Sequence, residues 1–358
     1  MEDRDRWQGL IENAMALRAS DIHLSVGAPA FFRLDGRLRR RAEETITAEF
    51  IAPLLETMFS DEQRAAFHRN GEIDLAWHWG QQRFRVHVFR QIGGLAMTLR
   101  LIPTAIPSLD DLGSPAVFRE LVKCRHGLIL VTGRTGAGKT TTLAAFLGEV
   151  NRRSAKHIIT LEDPIEYVHP SDKSLISQRE LGTHFASFAA ALRNSLRDDP
   201  DILLVGELRD ADTIATALNA AETGHLVLAS LHTQSAVDTV LRLESFFPAE
   251  QQGQVRAQLA IVLCAVVTQQ LLPAADGGRV AASEVLTASP AVRNLIRQGK
   301  AQQLPTHIMA GSVLGMQTMN RSIEMLRAAG KITSEVAMGI WHSGKFRQGR
   351  RRIGSLLI

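Results

Sequence analysis

The sequence predicts a two-domain α/β protein, in which a small α+β domain precedes a larger wound α/β domain. Three observations predict it. A chain of 358 residues is long for one core. From about residue 118 strand and helix patterns alternate, as in a parallel sheet wound with helices. At the first strand-to-helix junction of that region stands Gly133-Arg134-Thr135-Gly136-Ala137-Gly138-Lys139-Thr140, a complete G-x-x-x-x-G-K-T loop.

The elements follow in order. Residues 5–18 set Leu10, Ile11, Ala14, Met15 and Leu17 at helical spacing. Residues 21–25 and 30–34 read as strands, the second ending at the hairpin signal Asp35-Gly36. Helices are expected at 48–58 and 61–69, then strands at 72–79, 82–90 and 94–102. This domain spans 1–102. A proline-bearing linker is expected over 103–117, then a domain over 118–344 and a basic tail over 345–358. In the second domain strands are expected at 127–132, 157–161, 202–206 and 226–231. Helices are expected near 140–152, 184–196 and 211–222. Residues 250–342 read as mostly helical, interrupted near Pro273 and Gly277-Gly278.

The glycine-rich loop predicts nucleoside triphosphate binding. Apolar Leu128 to Val131 leads into it, and Thr141 to Leu147 can start a helix. Gly133, Gly136 and Gly138 let backbone N–H groups turn toward phosphate oxygens, and the helix N-terminus adds partial positive charge. Lys139 reaches the β- and γ-phosphates, and the Thr140 hydroxyl is a ligand for Mg²⁺. Thr135 and Thr141 complete the expected binding set.

Hydrolysis also needs acids at the carboxyl ends of neighbouring strands. Ile202 to Gly206 is a buried-strand pattern that ends in Glu207, the candidate metal-side carboxylate, acting through a coordinated water. Gly206 stands where an aspartate is usual. Asp201 precedes that strand and belongs at the opposite edge of the sheet. Ile158 to Leu161 leads into Glu162-Asp163-Pro164-Ile165-Glu166. Glu162 is the candidate general base or water-orienting group, with Glu166 in support; a charged strand exit is the plain alternative. His225 and His232 bracket a third strand. Seven residues of strand separate them by roughly 20 Å, so they do not share a metal. His232 is placed to contact the γ-phosphate, or is a structural histidine.

In the first domain Phe84, Val86 and Val88 alternate with Arg83, Arg85 and His87, and Arg100 opposes Leu99 and Leu101 in the next strand. Two strands then present arginines on one surface, which is either a solvated sheet face or a functional one.

Composition excludes several classes. There is no run of about 18 apolar residues, so no transmembrane helix is expected. The charged N-terminus lacks the apolar core of a signal peptide. Only Cys124 and Cys264 are present, which excludes a four-cysteine zinc module and fits a reducing compartment. Net charge is +4, yet five of the 41 basic residues lie in Lys345–Arg352, and the rest nearly balance the 37 acids. Without a basic, aromatic-bearing face, no nucleic acid is expected as a partner.

These blocks together resemble the type IV pilus retraction ATPases, the twitching-motility motors of the secretion ATPase superfamily, over about residues 7 to 342. Ala19 to Ser25 resembles the family's N-terminal strand motif, Leu161 to Glu166 its Asp box, Gly206-Glu207 its Walker B end and Thr223 to Thr233 its His box. Ala291-Val292-Arg293-Asn294-Leu295-Ile296-Arg297 resembles the retraction-motor signature, with valine for the usual isoleucine. Gly315-Met316-Gln317-Thr318-Met319 resembles that subfamily too. The resemblance implies a RecA-like P-loop ATPase domain preceded by a PAS-like domain, using ATP and Mg²⁺. It implies a homohexamer with nucleotide between the two domains, where Arg85 and Arg100, with Arg83 as a third candidate, contact phosphate. It further implies a cytoplasmic protein, peripheral at the inner-membrane pilus base, with a platform protein as partner and a possible paralogous motor. The rival readings are a pilus assembly or type II secretion ATPase, expected to carry a further N-terminal domain and a zinc insertion, a RecA-like nucleic-acid translocase, and an ATP-binding regulator without activity. The basic tail is not a family element; it is a solvated end or a contact for an acidic membrane surface.

Overall fold

The computed structural model describes residues 2–340 except Asp35, Gln81, Pro103 and Thr104. The basic tail expected over 345–358 lies outside the described residues. Two compact units divide the chain, Met1–Ala105 and Ile106–Ile358.

In the first unit α1 (Glu2–Ala16) is followed by β1 (Asp21–Ser25), β2 (Pro29–Leu34) and β3 (Arg37–Thr45). Helices α2 (Ala48–Met58) and α3 (Asp61–Asn70) come next, then β4 (Glu72–Trp79), β5 (Gln82–Gln91) and β6 (Gly94–Ile102). The strands form one antiparallel sheet in the order β3-β2-β1-β6-β5-β4. Alternation decides which face is covered. Phe84, Val86, Val88 and Leu99 are fully buried with Ile22 and Phe32, under Trp7, Ile11, Phe50 and Ile51 of the helices. The Trp7 ring stacks on Phe50 at 4.8 Å, and its Nε1–H donates to the Phe50 carbonyl. Strand β3 was not expected. Its Arg37-Leu38-Arg39-Arg40-Arg41 run carries no apolar alternation, and it forms because it is an edge strand that only β2 must hold.

The second unit runs α4 (Phe118–Leu121), β7 (Gly127–Thr132), α5 (Lys139–Arg153), β8 (His157–Glu162), β9 (Leu175–Glu180), α6 (Phe188–Ser195), β10 (Ile202–Val205), α7 (Ala211–Glu222) and β11 (Leu226–Leu231). It continues with α8 (Ala236–Ser245), α9 (Ala249–Val262), β12 (Leu263–Pro273), β13 (Arg279–Thr287), α10 (Pro290–Arg297), α11 (Leu304–Ala310) and α12 (Met319–Ala328). The sheet order is β13-β12-β7-β11-β10-β8-β9, parallel except for β13. Every residue of β7, β10 and β11 is buried, because helices cover both faces. Leu128 and Leu130 pack toward α6, α7 and α9, whereas Ile129 and Val131 pack toward α5. Of the segment expected as a linker, Leu109 is buried in the α5 layer of this unit, and Pro103 and Thr104 lie outside the described residues.

The expectation of a mostly helical region over 250–342 is corrected here. Residues 263–287 form a β-hairpin whose first strand extends the parallel sheet beside β7. A continuous apolar run such as Leu263 to Thr268 suits a buried helix or a buried strand equally. The open edge of β7 decides between them. Gly277 and Gly278, both at positive φ, sit in the hairpin loop rather than between helices. Strand β9 was also missed, since Ser177-Gln178-Arg179-Glu180 is polar and lies at the other edge. Among the described residues, no helix is long and apolar enough to cross a membrane.

Candidate active site

Parallel strands β7, β8, β10 and β11 end at one edge of the sheet, and that edge gathers the loop at 133–140, the acids at 162–166, Gly206-Glu207 and His232. The loop is shaped by its glycines. Gly133 has φ of +148°, and a Cβ there would stand 2.3 Å from the Gln269 carbonyl oxygen. Gly138, at φ of +83°, caps the start of α5 in the left-handed region. Gly136 is also left-handed and, with Thr135, faces solvent. Gln269 of β12 ties the loop down from the side: its Nε2 donates to the Ala137 carbonyl at 2.6 Å, and its Oε1 accepts from Thr142 Oγ1 at 3.0 Å.

Lys139 is buried and curls back, donating to the carbonyls of Gly133 at 3.0 Å and Arg134 at 3.3 Å. Its ammonium lies 3.3 Å from Nδ1 of His232. Burial lowers its pKa, and nearby Glu207 and Glu166 oppose that shift. His232 Nε2 lies 3.0 Å from Glu207 Oε1. An ammonium has only protons to give, so Nδ1 accepts and Nε2–H donates to Glu207, which selects one neutral tautomer. Glu207 Oε2 accepts from Arg209 at 2.9 Å, and Arg209 reaches Asp163 at 3.1 Å. A polar chain therefore runs Lys139–His232–Glu207–Arg209–Asp163.

Glu162 is buried at the end of β8. Its Oε1 accepts from Thr160 Oγ1 at 2.7 Å and from Gln178 Nε2 at 3.0 Å. Gly206 packs against its backbone: a Cβ on Gly206 would meet the Leu161 oxygen at 3.2 Å and Glu162 Cα at 3.3 Å. That close approach leaves little room for a side chain at the position where an aspartate is usual. Glu166 is half-buried, and the adjacent Tyr167 hydroxyl is hydrogen-bonded to Thr141 Oγ1 at 3.0 Å. Thr140, the second residue of α5, is half-buried at the loop. Asp201 lies at the opposite strand ends, where it accepts from Lys156 Nζ at 2.7 Å and from the His157 N–H.

Arg85 and Arg100 belong to the first unit. They face each other in the β5–β6 register, on the side away from Val86 and Leu99. Asp21, itself buried, holds Arg100 at 2.9 Å, and Asp74 lies 3.6 Å from Arg85. On α10, Arg293 and Arg297 are one turn apart but differ. Arg297 is exposed, whereas Arg293 is half-buried and donates to the carbonyls of Ala288 at 3.0 Å, Ala260 at 2.7 Å and Ile261.

Sequence reasoning missed Gln178, Arg209, Gln269 and Tyr167. Arg209 had a signal, two residues beyond Glu207 in a charged turn. Gln178 and Gln269 had none, because each lies on a strand that was not expected. Among the described residues, no cluster of three or more His, Cys, Asp or Glu side chains forms a metal cage. The glycine cradle, the buried Lys139 and the Thr140 hydroxyl nonetheless suit a magnesium–nucleotide complex, in which phosphates and water supply most ligands.

The model of the type II/IV secretion system protein family matches residues 5–277. The uncharacterized protein YggR of Escherichia coli K12 is 48% identical over 314 residues, 87% of this chain and 95% of that one. The type IV pilus retraction ATPase PilT of Pseudomonas aeruginosa is 45% identical over 320 residues, 89% of this chain and 93% of that one. A crystal structure of the pilus retraction motor PilT with bound ADP superposes with a TM-score of 0.84 at 45% identity, over 92% of this chain and 95% of that chain. With a phosphate loop, two strand-end glutamates and a histidine gathered on one sheet edge, this chain belongs to the type II/IV secretion system protein family as a PilT-like ATPase.

Proposed function

We propose that the chain is a motor that hydrolyses ATP and uses the energy to retract type IV pili. The observation that carries the chemistry is the polar chain from Lys139 through His232 to Glu207, beside the buried Glu162. The 45% identity to PilT over nearly the whole chain carries the biological role.

The backbone N–H groups of 133–140 hold the phosphates, and Lys139 exchanges its carbonyl partners for β- and γ-phosphate oxygens. Thr140 and Glu207 would hold Mg²⁺, which would supply a Lewis acid against the phosphate charge. Glu162 orients or deprotonates the attacking water, and Glu166 adds negative field beside it. His232 links Lys139 to Glu207, so movement of the lysine onto phosphate changes the hydrogen bond to Glu207. Arg85 and Arg100 are the candidates to neutralise charge developing on the γ-phosphoryl group. Six copies form a ring in the cytoplasm at the inner-membrane pilus base, against a platform protein and alongside a paralogous motor where one is present.

The test is deletion of the gene with pili fluorescently labelled. Pili that extend and fail to retract support the proposal. Unchanged retraction overturns it, and loss of pili altogether assigns the motor to extension instead.

A further inference from the structure

We propose that Cys124 and Cys264 form a modification site, a dithiol that a hydroperoxide converts reversibly into an intramolecular disulfide. These are the only cysteines of the chain, and they lie far apart in sequence. The fold brings them to one place: Cys264 Sγ lies 3.5 Å from the carbonyl of His126, two residues beyond Cys124, and both cysteines pack against the same apolar layer. Cys124 lies just before β7. Cys264 is the bulge residue of β12, where the register against β7 shifts between Leu263 and Ala265. A bulge re-aims a side chain, and this one aims the thiol at the chain entering β7. Its Sγ donates to the His126 carbonyl at 3.5 Å. It lies 2.5 Å from where a Cβ on Gly127 would stand, so only glycine leaves room for the thiol there.

The pair is chemically unequal. The bond to Cys124, aided by the Arg293 guanidinium, pulls the Cys264 thiol down to about 7. The same contact, with burial, pushes Cys124 up. Arg293 is held beside the bulge by its bonds to the Ala260 and Ala288 carbonyls, and the Ala288 N–H donates to the Cys264 carbonyl. The guanidinium held there favours a thiolate on Cys264, which makes Cys264 the nucleophile and Cys124 the resolving thiol. Both are half-buried, open enough for a small oxidant.

The chemistry balances in two steps. The Cys264 thiolate attacks one oxygen of hydrogen peroxide, the O–O bond breaks, the sulfur becomes a sulfenic acid, and the departing hydroxide takes up a solvent proton and leaves as water. The Cys124 sulfur then attacks Cys264 Sγ, the S–O bond breaks, and a second water leaves with the Cys124 proton. Two thiols lose two electrons in all, and the peroxide gains them. The resulting bond staples the entry of the phosphate-loop strand to the start of β12. It closes a long loop, so the oxidised chain melts roughly 5–15 °C higher.

The experiment treats the reduced full-length protein with hydrogen peroxide, quenches with catalase, alkylates free thiols and maps peptides without reductant. The expected product is one cross-linked peptide pair joining Cys124 to Cys264 within a single chain, reversed by dithiothreitol. In Cys124→Ser, dimedone traps a sulfenic acid on Cys264, whereas in Cys264→Ser Cys124 stays alkylatable. Two free thiols after treatment overturn the proposal, as do disulfides only between separate copies. Equal peroxide reactivity of Cys124 in Cys264→Ser overturns the assignment of the nucleophile.

Discussion

Glu162 is held at two points, by the Thr160 hydroxyl and the Gln178 amide, and Gln178 in turn donates to the Tyr167 carbonyl. A carboxylate so restrained keeps its position when water approaches. Glu162→Gln is expected to retain nucleotide binding and lose at least about a hundredfold in turnover. Lys139→Ala is expected to weaken binding itself, because the ammonium lies inside the loop. Fluorescent nucleotide titration beside a phosphate-release assay separates the two, and near-normal turnover in Glu162→Gln removes Glu162 from its role. His169 makes a second residue-scale prediction. It is buried, its Nδ1 has no partner, and burial depresses its pKa from 6.5 to about 4. Above pH 6.5 the histidine is neutral whether folded or not, so this contribution to stability is intact. As pH falls below 6.5 the unfolded chain takes up the proton and the folded one does not. The loss grows to about 3 kcal/mol by roughly pH 4. Urea midpoints measured across this window should fall more steeply for the wild type than for His169→Leu, and parallel slopes would exclude the effect.

At the scale of elements, α10 separates a packing role from a coupling role. Val292, Leu295 and Ile296 face the core, and Arg293 is anchored on the carbonyls that end α9. Only Asn294 and Arg297 of the motif's polar residues are exposed. Leu295→Ala is expected to cost about 2–5 kcal/mol, and Arg293→Ala to lower the melting temperature by freeing the carbonyls of Ala260, Ile261 and Ala288. Asn294→Ala with Arg297→Ala is expected to leave the melting temperature within about 2 °C and to abolish retraction if the exposed face transmits motion. Retraction persisting in that stable double variant would mark the helix as structural. The same scale shows where reading the sequence succeeds. Helix α2 is found at 48–58 because Thr47 caps it and Phe50, Ile51, Leu54 and Leu55 repeat at helical spacing. The β12–β13 hairpin is not found, because its inner residues are apolar in sequence whichever structure they adopt. Its partner, β7, lies far away along the chain.

At the scale of the whole molecule, each unit carries its own core. A motor exerts force only against neighbours. The protein is therefore expected to scatter light as a hexamer at micromolar concentration with a non-hydrolysable ATP analogue. Monomer alone, with and without the analogue, would count decisively against a ring. The loop at 133–140, Glu162 and Glu207 were legible in the sequence because each sits at a strand end within a few residues of its own signal. Local spacing also determined the first domain's arginine face, since alternation along one strand needs no partner to be read. Only the tertiary structure decided that His232 bridges Lys139 to Glu207, that Gln178 and Gln269 brace the site from β9 and β12, and that the Cys264 thiol reaches the chain beside Gly127, just beyond Cys124. Those contacts join residues across sheet neighbours, and strand order follows from how the whole chain buries its apolar surface, which no short window of sequence contains.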